Sequence, residues 1–116
     1  MIEQHNLVVY RGDTFAERLT FTDTDGVAVN ITGWTIFFTL KTNKKDTDTL
    51  AIISKTITII PNPELGIYDF VIPASELNTL LGMYYYDFQI KLADGKIYTF
   101  MSGSISFIED ISRRTT

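Results

Sequence analysis

The chain has no cysteine, one histidine, one tryptophan and three prolines among its 116 residues. Without cysteine there is no disulfide framework, no thiol nucleophile and no thiolate metal site. The redox compartment stays open, because oxidising compartments permit disulfides without requiring them. The one histidine, His5, sits in the terminal segment, a poor place for the positioned base that a nucleophile needs. No serine occupies a Gly-x-Ser-x-Gly elbow, since Gly103-Ser104 runs on into strand-like residues rather than a helix. Long apolar runs are missing too. None approaches the roughly 20 residues of a membrane span, and "MIEQHN" lacks the basic start and apolar stretch of a secretory signal. A soluble chain is expected, with no membrane partner. Ten basic residues stand against fourteen acidic ones, a net charge of −4, and they gather only at Lys44-Lys45 and Arg113-Arg114. No nucleic-acid partner is expected either.

What is present is apolar and aromatic, at 45% and 13% of residues, enough to bury one sizeable core and no second one. A single domain over residues 1–116 follows. Nearly every apolar stretch alternates with period two, the mark of a half-buried strand. In "GWTIFFTLK", Trp34, Ile36, Phe38 and Leu40 share one face. In "GMYYYDFQIKL", the inward set is Tyr84, Tyr86, Phe88, Ile90 and Leu92. Phe15, Leu19 and Phe21 alternate in "TFAERLTFTD", as do Tyr68, Phe70 and Ile72 in "GIYDFVIP". Ile53, Ile57 and Ile59 line one side of "IISKTITII", and Leu7 to Arg11 forms another short strand. Asp25-Gly26 and Asp94-Gly95 predict two hairpin turns. Large apolar residues change parity between Phe100 and Ile105, which predicts a one-residue bulge at Gly103. Only "ASELNTLLG", after Pro73, is compatible with a helix, of a turn or two. "KTNKKDTDT", Lys41 to Thr49, reads as an exposed loop.

Seven or eight short strands with one short helical turn predict an all-β, immunoglobulin-like antiparallel β-sandwich, with a small closed barrel as the alternative. Tyr84, after a short crossing, stands where such sandwiches keep a corner tyrosine bonded to backbone. Trp34 opens the strand that usually carries a core tryptophan. The expected structural residues are Trp34, Phe38, Tyr84, Tyr86 and Phe88.

No chemistry is nominated. "DTDTDG" offers Asp23 and Asp25 as a fragment of a calcium loop, but the further ligands are missing and a hairpin turn accounts for it. No carboxylate pair stands out for glycoside chemistry. No catalytic residue, metal ligand or cofactor is expected, and the chain is read as a non-enzyme. Glu17 breaks an otherwise apolar face, which places it near the solvent end of its strand or beside a base such as Arg18 or Lys91.

The stretch "YRGDTFAERLTFTDTDGVAVNITGWTIFFTLK", with "GIYDFVIP", "LLGMYYYDFQIKLADGKIYTFMSGSISF" and the closing "EDISR", is similar to small immunoglobulin-like domains of tailed bacteriophages and prophages. It resembles the N-terminal domains of baseplate upper proteins and related tail-fibre or tail-associated proteins. The shared elements are Gly12-Asp13, Asp25-Gly26 leading to "VNITGW", and Leu80 to Asp87. The resemblance implies a virion structural component, in the tail, baseplate or neck, that docks on other virion proteins. It implies no catalytic residue. The chain stops soon after its last strand, so a small free-standing component without receptor binding is expected. Arg11-Gly12-Asp13, which also spells an adhesion tripeptide, falls at a turn of the family.

Docking needs a surface, and parity supplies one. The strands around Trp34 to Lys41, Met83 to Leu92 and Lys96 to Ser102 should share a sheet whose outward residues include Phe37, Met83, Tyr85, Ile97 and Met101. These five are the expected interaction surface, for another virion protein or for a homo-oligomer. The alternative function is a carbohydrate-binding module on cell-surface glycans, with outward tyrosines stacked on sugar rings.

Overall fold

The alternating segments pair into two layers. The computed structural model describes residues 3–4, 6–10, 13–43 and 51–108. Its strands are β1 (Glu3–Gln4), β2 (Leu7–Tyr10), β3 (Phe15–Thr20), β4 (Thr35–Lys41), β5 (Ile53–Ile57), β6 (Ile67–Ile72), β7 (Gly82–Lys91) and β8 (Ile97–Ile108). One layer runs β8-β7-β4-β5, antiparallel throughout, with β1 and β2 both on the far side of β8; the other is the antiparallel pair β3–β6. The result is an all-β sandwich with one short helix, α1 (Ala74–Leu77). Pro73 precedes α1, and Leu77 and Leu80 turn into the core from this crossing.

Two features depart from a purely antiparallel sandwich of regular strands. β1 and β2 run parallel to β8. Alternation says which residues share a face but carries no information about strand direction, so this pairing is invisible in the pattern. The parity switch in β8 falls at Phe100, not at Gly103. Met101 pairs with Phe88 and Thr99 with Gln89, which leaves Phe100 extra, while Gly103 sits in regular register opposite Tyr86. Phe100 and Met101 both turn inward as a result, Phe100 to within 4.6 Å of the Phe21 ring.

Between the layers Phe38 is central. Its ring lies 4.8 Å from Phe70 and 4.9 Å from Phe88, and Phe70 meets Phe88 edge-on at 5.0 Å. Phe38, Tyr86 and Phe88 are buried, together with Ile36 and Leu40. Trp34 is not. It precedes β4, half-buried, with its ring edge-on to Phe21 at 5.4 Å. Tyr84 is half-buried as well, edge-on to Phe107, and its hydroxyl makes no hydrogen bond to the preceding crossing. No corner tyrosine forms, because the position reaches water.

The turns follow their chemistry. Asp94-Gly95 closes the β7–β8 hairpin, the Asp94 carboxylate accepting from the Lys96 N–H at 3.0 Å. At Asp25-Gly26 the Asp23 carboxylate accepts from the N–H groups of Asp25 and Val27, but only the isolated Thr22–Ala28 bridge follows, so this is a closed turn rather than a full hairpin. The Asp13 N–H donates to the Tyr10 carbonyl at 3.0 Å; Arg11 and Gly12, and with them the expected turn at the tripeptide, lie outside the described residues. So do residues 44–50 of the polar loop and the closing residues 109–116.

Glu17 lies mid-strand rather than at a strand end. It pairs across with Phe70 on the inner face and stays half-exposed because β3 is an edge. Arg18 faces outward and holds Asp69 at 2.7 Å, which pulls the Asp69 carboxyl below its usual range.

Candidate docking surface

On a pleated sheet, residues paired across strands form rows on one face, about 7 Å apart along each strand. The outer face of the large sheet can therefore be read from its register. The β7 residues Met83, Tyr85, Asp87 and Gln89 pair with Ser106, Ser104, Ser102 and Thr99 of β8. Tyr85, Asp87 and Gln89 pair on their other side with Lys41, Thr39 and Phe37 of β4. Along β8 the rows continue into β2, where Val8 pairs with Ser106 and Tyr10 with Ile108.

The five expected surface residues do not form one patch. Met101 is buried at 5% exposure, because the bulge at Phe100 turns it inward opposite Phe88. Ile97 pairs with Lys91, eight residues along β7 from Met83, or about 27 Å. Phe37 is half-buried and lies across the polar Thr39–Asp87–Ser102 row from Met83 and Tyr85. Only Met83 and Tyr85 stay together.

Around Met83 the fold assembles residues that the pattern missed. Val8 (66% exposed), Tyr10 (45%) and Ile108 (38%) share the outer face with Met83 (57%), and Leu81 (46%) immediately precedes β7. This apolar block is uncharged. "LVVY" marks a strand, but the pattern does not reveal which neighbour it takes, so the adjacency of Val8 and Tyr10 to Met83 had no sequence signal.

Sharing Met83 with the block is a groove of mixed polarity of about 390 Å³, lined also by Asn6, Thr39, Lys41, Tyr85, Asp87 and Ser104. The Asn6 side-chain carbonyl accepts from the Ser104 hydroxyl at 3.1 Å, tying the N-terminal segment to β8. Toward the Ile97 end of β8, Phe21, Trp34, Tyr98 and Phe100 line a largely apolar cleft of about 360 Å³.

A family model, that of the BppU N-terminal domain, the N-terminal domain of baseplate upper proteins, matches residues 1–113. The chain belongs to this family. As a BppU N-terminal domain it is a structural domain of the phage baseplate, and that places it among other virion proteins. A search among curated proteins finds no match. No helix among the described residues of this BppU N-terminal domain is long and apolar enough to cross a membrane.

Proposed function

We propose that this BppU N-terminal domain works without catalysis, as a docking module that holds its place in the baseplate through the outer face of the large sheet. The observation that carries this reading is the uncharged block of Val8, Tyr10, Leu81, Met83 and Ile108, each more than a third exposed. Exposed apolar clusters of this kind, with methionine and tyrosine among them, are typical of the centres of protein interfaces. The glycan alternative needs several rings on one platform. The successive tyrosines of β7 point to opposite faces, so Tyr85 alone of the three projects from the outer face beside the groove.

The reading is tested with a Met83→Ser, Ile108→Ser double variant. Both side chains are exposed, so the domain should melt close to wild type. Particles assembled with the variant should lose it from the baseplate. Normal incorporation of a folded double variant would overturn docking through this block.

A further inference from the structure

Among the described residues, β1, β2, β3, β5 and β6 each have one side that no strand covers. Natural sheets blunt such edges with charge or proline, because the open N–H and C=O groups recruit other strands. β1 and β2 lie in one register along the same side of β8 and so form one edge, with Glu3 in its first stretch; the other three edges carry charge at Glu17 and Arg18 in β3, Lys55 in β5 and Asp69 in β6. β2 itself carries none. Its sequence is Leu-Val-Val-Tyr, without charge or proline, and Val8 and Tyr10 stand exposed on the outer face.

Resting on the docking reading above, we propose that the open edge of β2 pairs antiparallel with the same edge of a second copy of this chain, across a two-fold axis normal to the sheet. A two-fold contact sets a surface against itself, so any unbalanced charge meets its like. The chain carries a net charge of −4, which opposes close approach of two copies over a charged surface. The β2 edge and its neighbours Met83 and Ile108 carry no charge at all. Such an axis keeps outward residues on the same side, so that Val8 and Tyr10 of each copy lie among their counterparts as apolar cross-strand neighbours. The two large sheets then continue into one, and the apolar blocks join across the axis.

The test uses the full 116-residue chain alone. Sedimentation between about 1 and 500 μM spans dissociation constants in the micromolar range. Wild type should dimerise within it, and Val8→Lys and Tyr10→Lys should each weaken dimerisation at least tenfold while the melting curve of the dilute monomer stays in place. Because the chain has no cysteine, Val8→Cys introduces a single thiol. A short bis-maleimide, which adds one cysteine S–H across each of its two C=C bonds, should couple it into a covalent dimer, whereas Ile97→Cys, at the far end of the sheet, should stay uncoupled. A wild type that is monomeric throughout, dimers indifferent to both lysines, or equal coupling at positions 8 and 97 would overturn the proposal. A monomeric chain whose Met83→Ser, Ile108→Ser variant is lost from the baseplate would leave docking intact and assign the block to a foreign protein. A monomer whose double variant incorporates normally would remove both.

Discussion

Met101 stands directly opposite Phe88 in the β7–β8 ladder, and the next pair is Thr99 with Gln89, so Phe100 has no partner across the strand. The extra residue converts a surface position into a core one. Met101→Ala should cost about 2–5 kcal/mol, as for other buried methionines. Ile97→Ala, at an exposed site of the same strand, should stay within about 0.5 kcal/mol of wild type. Urea unfolding of the two variants side by side checks this, and equal midpoints would place the bulge elsewhere.

Phe38 touches rings from both layers, Phe70 from one and Phe88 from its own. Phe38→Ala should therefore cost about 3–5 kcal/mol, since neither sheet can close on the space without moving the other. Thr39→Ala, one residue along on the outer face, should cost far less. The comparison is made by urea midpoint, and similar losses would mean that β4 is slipped by one residue.

The Tyr86 hydroxyl is pushed up to about 12, first by burial and then by the negative charge of Glu17. Between the ordinary tyrosine value of 10.0 and that raised one, the unfolded chain has released this proton and the folded chain keeps it. The folded state binds more protons there, so stability falls as pH rises through this window and is unaffected by Tyr86 below it. The full loss is on the order of 2–3 kcal/mol. Denaturation curves at pH 9 to about 12 should decline less steeply for Tyr86→Phe than for wild type, and Glu17→Gln should fall between them. Parallel slopes would refute the coupling.

Gly66 has φ +67°, and a Cβ there would stand 2.6 Å from the Val29 carbonyl oxygen and 2.8 Å from that of Phe21. Both obstacles are backbone and belong to the hydrogen-bonded junction where Phe21 N–H donates to the Gly66 carbonyl and Val29 N–H to that of Phe21. At Gly82, φ is +99° but the space is open. Gly82→Ala should cost only the backbone strain, about 1–3 kcal/mol. Gly66→Ala should lower the melting temperature well beyond that. Thermal unfolding of both variants decides it, and equal losses would mean the junction yields to a methyl group.

Side-chain period alone determined the all-β class, the inward faces of β4 and β7, the Asp94-Gly95 hairpin and the short helix after Pro73, because each rests on local geometry that a few neighbouring residues impose. The expectation of an immunoglobulin-like sandwich, not the period, grouped β4, β7 and β8 into one sheet. What the period could not determine were relations between distant segments. The β2–β8 pairing joins residues about a hundred positions apart and runs parallel, and alternation encodes neither partner nor direction. The bulge lies at Phe100 because the Phe21 ring, from the stretch after β3, packs against a second inward residue in β8. That bulge removed Met101 from the expected surface, and the parallel pairing of β2 with β8 brought Val8 and Tyr10 beside Met83; the distance of Ile97 from Met83 follows from the local Asp94-Gly95 hairpin. The docking surface is a property of strand order and register, and those were decided only when the two layers closed over Phe38.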